Sequence, residues 1–272
     1  MKRLAACVAF LVVGLASQSP AASPPTVTLC SKNGFCYCVQ QGLTDAISRK
    51  LVDIRETINR QKQAGKAVGY LSVPISTLAG AFFDVNVQVA AEIKERIERQ
   101  YGIQDSWVLN PAAKEFSLPG DAGGPDYMLM WSQVLEGEDG LGTFDFAYFT
   151  GPSDFAKHFG LDGQNDLGRL DVAYDDLIKT DPTLASKVDR RSFRDYYGLR
   201  ASVAYSLGSH DEWDIVRTIN EKRRLSDPAA GIAKQMGIFF DGMPAAPGLL
   251  ETSVATGDVG ACKVDGKQGQ TK

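Results

Sequence analysis

The chain has 272 residues, of which 44% are hydrophobic and 23% are charged, a balance that excludes a disordered or fibrous protein and allows a large buried core. The formal net charge is −4. Basic clusters at residues 187–194 and 222–224 are interspersed with acidic residues at helical spacing, which predicts solvated helix faces and argues against a nucleic acid partner.

The first 22 residues have the pattern of a secretory signal peptide. Met1-Lys2-Arg3 is a short basic start, residues 4–15 are mostly apolar, and Ser19 to Ala22 are small residues suited to a signal peptidase. The apolar run is shorter than the roughly 20 residues needed to span a bilayer. We therefore expect cleavage near Ala22, a secreted or periplasmic protein, and no membrane span in the rest of the chain.

The cysteines predict disulfides. Cys7 belongs to the predicted signal peptide, which leaves Cys30, Cys36, Cys38 and Cys262. Four cysteines in an oxidising compartment predict two disulfides, for which three pairings exist. If all four are paired, one bridge must connect Cys262 to the N-terminal region. A zinc site at Cys36-x-Cys38 is the alternative, but this spacing is shorter than that of common zinc ligands and no histidine lies nearby.

Residues 23–65 form a cysteine-containing leader and a helix, and residues 66–178 alternate between strands and helices. The strand at 68–73 ends at Pro74, a helix follows at about 84–101 with an apolar residue at every fourth position, and the strand at 107–109 ends at Asn110-Pro111. A parallel right-handed crossover is expected for this β-α-β unit.

A second unit follows the first. Residues 127–135 predict a helix and residues 144–149 a strand, and this alternation indicates an α/β fold with helices on both faces of a parallel sheet. Residues 179–272 predict a mostly helical C-terminal extension packed on the same domain, with a tail after Cys262. Two segments stay open: residues 200–205 fit a strand or a helix, and residues 238–244 fit a last strand or irregular packing.

No motif in the sequence indicates a cofactor. There is no phosphate-binding glycine-rich loop with its lysine, no G-x-S-x-G elbow and no H-E-x-x-H helix. The chain has two histidines, His158 and His210, so a multi-histidine metal site is not expected. We expect neither a cofactor nor a metal.

The order of several elements resembles the nucleoside 2-deoxyribosyltransferase-like superfamily. The resemblance covers about residues 66–178 and depends on Gly69-Tyr70-Leu71-Ser72-Val73-Pro74, a long helix starting near Asn86, Val108-Leu109-Asn110-Pro111, Trp131, and Phe144-Asp145 entering a strand. It implies a flavodoxin-like sheet and N-glycosidic chemistry at the carboxyl ends of its strands, with a nucleoside or nucleotide as ligand.

The resemblance also implies which residues act. In the family, a helical carboxylate attacks the anomeric carbon of the sugar, and other acidic groups bind or protonate the base. The family motif reads Asp-x-Gly-Thr followed by a glutamate, and residues 166–171 here read Asp-Leu-Gly-Arg-Leu-Asp. The predicted catalytic residues are therefore Asp171, Asp154 and Tyr70.

The predicted ligand-binding residues lie mostly at strand ends or in the turns that follow. They are Ser72, Pro74, Ser76, Asn110, Trp131, Ser153 and Asp166. Structural alternatives stay open: Asp154 and Asp166 are also suited to cap helices, Asp171 to pair with an arginine, and Tyr70 and Trp131 to fill the core.

One further run, Ser209-His210-Asp211-Glu212-Trp213, concentrates chemically capable side chains, although Ser209 and Glu212 also have the spacing of a capping box. We expect a secreted enzyme that cleaves an N-glycosidic bond by hydrolysis or transfer. The alternatives are a non-catalytic ligand-binding or interaction protein on the same fold, and a periplasmic effector.

Overall fold

The computed structural model describes residues 24–75, 80–229, 234–246, 248–250 and 260–262. The predicted signal peptide and Ser76 lie outside the described residues. The strands are β1 Thr26–Cys30, β2 Cys36–Gln40, β3 Ala67–Ser72, β4 Ser106–Leu109, β5 Phe146–Phe149, β6 Gly237–Phe240 and β7 Met243–Pro244. The helices are α1 Thr44–Gln63, α2 Phe83–Tyr101, α3 Gly124–Glu136, α4 Pro152–Phe159, α5 Asp166–Thr180, α6 Leu184–Lys187, α7 Arg190–Leu199 and α8 Leu207–Ser226.

The main sheet has the strand order β4-β3-β5-β6-β7. β4, β3, β5 and β6 are parallel, and the short β7 pairs antiparallel with β6. The chain runs from β3 outward to β4 and then returns to the other side of β3 to form β5, so the strand order reverses at β3. This confirms the predicted α/β class and is consistent with a flavodoxin-like fold.

Helices cover both faces of this sheet, as the sequence predicts. Because successive side chains of a strand point to opposite faces, Tyr70 belongs to one buried cluster with α1, α3 and α8, while Leu71 belongs to the other with α2, α4, α5 and α7. Gly69 faces the ring of Phe146 on β5, where an added Cβ would lie 2.2 Å from a ring carbon. A larger residue at position 69 would therefore have to displace the Phe146 ring.

The N-terminal hairpin of β1 and β2 carries both disulfides of the described chain. Cys30 is bonded to Cys36 within the hairpin, and Cys38 is bonded to Cys262. The predicted disulfides, including one that involves Cys262, are confirmed, and the zinc alternative is wrong. Disulfides of this kind persist in oxidising compartments.

The part of the chain after residue 178 contributes more than helices. The segment at 238–244 forms β6 and β7 of the main sheet, whereas residues 200–205 contain a short 3-10 turn at Val203–Tyr205 in place of a strand or an α-helix. None of the helices in the described ranges is sufficiently long and apolar to cross a membrane.

Candidate functional site

A cavity of about 530 Å³ opens beside the carboxyl ends of β3 and β4. Six segments form it: the residues that follow β3, the start of α2, the turn that follows β4, Ser117, the first eight residues of α3, and the cap and first two turns of α8. Ligands bind in this position in open α/β sheets, because the loops that leave the strands there form a crevice. Most of the wall is apolar. Its apolar residues are Val73, Ile75, Phe83, Pro111, Ala112, Met128, Trp131 and Leu207.

Polar side chains are few among the residues that line the cavity. They are the hydroxyl groups of Ser117, Tyr127, Ser206 and Ser209, and the carboxyl group of Glu212. An apolar pocket with a small number of placed polar groups is the usual form of a small-molecule site. We call it the Glu212 pocket.

Two hydroxyl groups of β3 hold the carboxyl group of Glu212. Tyr70 Oη donates a hydrogen bond to Glu212 Oε1 at 2.5 Å, and Ser72 Oγ donates one to Glu212 Oε2 at 2.5 Å. Tyr70 and Ser72 are two residues apart on β3 and therefore point to the same face of the sheet. The sheet thus fixes the orientation of an acid that α8 carries to the cavity.

The helix α8 brings Glu212 to this position because a serine cap fixes the residue at which the helix begins. Ser206 is the N-cap, and its side chain accepts a hydrogen bond from Ser209 N. The buried residues Val216 and Ile219 lie four and seven positions after Glu212, on the same side of the helix. Packing of this side against the sheet therefore turns Glu212 inward, where it is only 7% exposed.

In its buried environment, the Glu212 side chain keeps a proton at higher pH than it would in water. Burial raises the pKa of Glu212 to about 7, and the charge of the neighbouring Asp211 acts in the same direction. The hydrogen bonds from Ser72 and Tyr70 oppose this rise, since they stabilise the carboxylate. A carboxyl group with a pKa near the ambient pH can act both as a base and as an acid.

Three residues predicted from the sequence meet at this pocket. Tyr70 and Ser72 contact Glu212, and Trp131 forms part of the wall with its ring 6.2 Å from the ring of Tyr70. Trp131 also packs edge-on against Phe116 at 5.9 Å. The indole is therefore held by neighbouring rings while one part of it faces the cavity.

Pro74 and Asn110 lie beside the pocket and shape its loops. The carbonyl group of Pro74 accepts a hydrogen bond from Asn86 Nδ2 at 2.5 Å. Asn110 Oδ1 accepts one from Ala112 N at 3.0 Å, which fixes the turn after β4. Neither residue lines the cavity, and Ser76 lies outside the described residues.

Asp154 and Ser153 lie at the carboxyl end of β5. Asp154 caps α4 by accepting a hydrogen bond from Gly151 N at 3.1 Å, pairs with Arg96 at 2.5 Å and contacts Tyr148 Oη. The Ser153 hydroxyl group donates to Asp241 at 2.5 Å. The structural alternative for Asp154, helix capping, is thus seen directly, and neither residue lines the Glu212 pocket.

Asp166 and Asp171 belong to α5, which covers the opposite face of the sheet from Glu212. Asp166 accepts hydrogen bonds from backbone N–H groups of the preceding loop, at 3.0 Å from Gly163 N. Asp171 pairs with Arg194 at 3.3 Å and with Arg190 at 3.5 Å. The structure does not bring these two aspartates to the Glu212 pocket.

The sequence interpretation did not place Glu212 among the site residues. The capping box predicted for Ser209 and Glu212 is wrong, because α8 begins earlier, with Ser206 as its cap. A usable signal was present: Glu212 shares a helical face with Val216 and Ile219, so the apolar periodicity places an acid on the buried side of the helix.

Comparisons of the chain with protein-family models, with curated proteins and with solved structures find no match. Within the described ranges, no group of three or more His, Cys, Asp and Glu side chains is arranged to hold a metal ion. The geometry and chemistry of the Glu212 pocket are therefore the basis on which a function can be inferred.

Proposed function

We propose that the protein binds a nucleoside-type compound in the Glu212 pocket and cleaves its N-glycosidic bond, with Glu212 as the catalytic carboxylate. The observation that carries the proposal is the position of this acid. It is buried at the carboxyl end of β3, held by two hydroxyl donors and exposed on one side to a cavity of about 530 Å³. The resemblance to the nucleoside 2-deoxyribosyltransferase-like superfamily points to the same chemistry.

The wall of the pocket suits a planar base. Trp131, Phe83 and Tyr127 supply aromatic surface, and Met128 adds a polarizable side chain. An apolar wall removes a flat base from water without requiring a particular pattern of hydrogen bonds. The ribose would then lie near Glu212, the one carboxyl group among the described wall residues.

Cleavage of the bond needs stabilisation of positive charge on the sugar. The carbon–nitrogen bond breaks with both electrons going to the base, which takes up a proton, and the sugar passes through an oxocarbenium-like state. The Glu212 carboxylate stabilises this centre, and the oxygen of water or of an acceptor hydroxyl group then bonds to the anomeric carbon and loses its proton. Tyr70 and Ser72 keep the carboxylate oriented during this change.

The compartment favours hydrolysis over base exchange. Two disulfides support a protein that works in an oxidising compartment, and the signal-peptide pattern of the first 22 residues supports a secreted or periplasmic location. Outside the cytoplasm, hydrolysis of nucleosides is a simpler role than exchange of bases during salvage.

The proposal is tested by chromatography of the free base released from a panel of deoxynucleosides and ribonucleosides by the oxidised mature protein. Release by the wild type and a loss of at least about a hundredfold in Glu212→Gln are expected, since a neutral amide cannot stabilise the cationic sugar. Circular dichroism of both proteins checks that they are folded. Equal release by the variant would contradict the role of Glu212.

A non-catalytic ligand-binding protein is the second candidate. One observation favours it: each oxygen of Glu212 already accepts a hydrogen bond, as in a buried polar network that stabilises a fold. Binding of a nucleoside without release of base from any member of the panel would select this candidate.

A further inference from the structure

We infer that the Glu212 pocket selects uncharged compounds and rejects phosphorylated ones, through the charge of Glu212 and the absence of any basic side chain from its described wall. This inference rests on the proposed function, because it names the substrate class of the same site. It separates nucleosides, which the pocket would accept, from nucleotides, which the family resemblance also allows as ligands.

The described wall of the pocket offers no cation for a phosphate group. Its residues include one ionisable acid, Glu212, and one phenol, Tyr127, but no lysine, arginine or histidine. Proteins hold phosphate groups with arginine or lysine side chains, or with backbone N–H groups at a helix N-terminus. The described wall of the Glu212 pocket has helix N-termini but no basic side chains.

Two helix N-termini do face the cavity, and groups of the chain already bond to backbone N–H groups at both. At the start of α3, Asp126 accepts hydrogen bonds from Gly123 N and Gln40 N, both at 2.8 Å, and is 2% exposed. At the start of α8, Asp211 and Glu212 lie within the first two turns. The N-terminus of α3 therefore already stabilises an internal carboxylate, and at the start of α8 the N–H group of Ser209 is taken up by the Ser206 side chain.

A phosphate group in the pocket would meet the Glu212 carboxylate in a cavity whose wall is largely apolar. Like charges repel strongly where water is excluded, and the surrounding hydroxyl groups cannot neutralise either charge. The repulsion depends on ionisation of Glu212, whose pKa of about 7 means that the carboxylate dominates at pH 8.

The test uses a ligand pair that the enzyme cannot cleave. A C-nucleoside has its base attached through a carbon–carbon bond, and its 5′-monophosphate differs only in charge and size. Calorimetric titration at pH 8 should show that the monophosphate binds at least about tenfold more weakly, as expected for one unfavourable charge pair. In Glu212→Gln, which keeps the shape of the side chain, this difference should shrink severalfold.

Three results would overturn the inference, and they differ in what they say about the proposed function. A monophosphate that binds as tightly as the C-nucleoside, or a difference that is unchanged in Glu212→Gln, contradicts charge selection alone. Binding of neither compound contradicts both proposals. Preferential binding of the C-nucleoside, together with no base release from ordinary nucleosides, supports charge selection but contradicts the proposed cleavage.

Discussion

Tyr70 and Glu212 are separated by 142 positions in the chain, yet the phenol hydroxyl group of one lies 2.5 Å from the carboxyl group of the other. At the residue scale, this hydrogen bond and the corresponding one from Ser72 influence the pKa of Glu212. Burial favours the neutral acid, and the two hydroxyl donors favour the carboxylate. The balance of these effects places the titration of Glu212 close to neutral pH.

Removal of the Tyr70 hydroxyl group should move this titration upward. Glu212 is ionised above its pKa, so base release should rise as pH increases through about 7. In Tyr70→Phe the carboxylate loses a donor that stabilises it, so its pKa rises and the midpoint of the pH profile should shift upward by about one unit. Rates of base release between pH 5 and 9 measure this shift.

Tyr127→Phe is the matched control for that experiment. Tyr127 also lines the pocket, but its hydroxyl group accepts a hydrogen bond from Leu118 N at 3.1 Å. The midpoint of the pH profile of base release should therefore be the same in Tyr127→Phe as in the wild type. A downward shift in Tyr70→Phe, or equal shifts in both variants, would contradict the account of Glu212.

At the scale of elements, the helix α3 connects the pocket to the N-terminal hairpin. Its first turn forms part of the pocket wall, and Asp126 in that turn accepts hydrogen bonds from Gly123 N and from Gln40 N of β2. At the other end of α3, Glu136 accepts hydrogen bonds from Ser31 Oγ at 2.7 Å and Asn33 N at 3.0 Å. Both ends of the helix therefore hold the hairpin in place.

Replacement of Asp126 should cost more stability than replacement of an ordinary helix cap. Asp126→Ala leaves the partly buried N–H groups of Gly123 and Gln40 without their carboxylate acceptor, and we expect a loss of about 3 kcal/mol in the free energy of unfolding. Asp189 caps the exposed start of α7 through Ser192 N, and Asp189→Ala should cost about 1 kcal/mol. Urea unfolding of both variants measures the difference, and equal losses would contradict this role of Asp126.

The sequence predicts elements better than it predicts contacts between them. Pro74 and Asn110-Pro111 mark the ends of β3 and β4, and the four-residue spacing of Val85, Val89 and Ile93 gives α2, because these signals are local. The contact between Glu212 and β3 depends on how α8 crosses the sheet, which no local pattern encodes. For the same reason, the sequence could not assign the segment at 238–244 to a strand beside β5.

At the scale of the whole molecule, the Cys38–Cys262 disulfide connects the hairpin to a residue 224 positions away, whereas Cys30–Cys36 closes a separation of 6 positions. Cross-linking restricts the unfolded chain more when the closed loop is longer. The two disulfides should therefore contribute unequally to stability, although both belong to the same hairpin.

Paired serine substitutions separate the two contributions. By loop entropy, loss of Cys38–Cys262 should lower the free energy of unfolding by about 5 kcal/mol and loss of Cys30–Cys36 by about 2 kcal/mol. Thermal unfolding of Cys38→Ser/Cys262→Ser and of Cys30→Ser/Cys36→Ser under oxidising conditions compares them. A larger loss for the shorter loop would show that native-state packing of the hairpin outweighs loop entropy.

The central claim is that catalysis takes place in the Glu212 pocket, and base release by three proteins tests it most directly. Wild type, Glu212→Gln and Asp171→Asn are incubated with the nucleoside that the wild type cleaves fastest, and the free base is quantified by chromatography. We expect release to be lost in Glu212→Gln and kept in Asp171→Asn, whose side chain pairs with Arg190 and Arg194 in the wild type. Loss in a folded Asp171→Asn with full activity in Glu212→Gln would contradict the claim and place catalysis on α5.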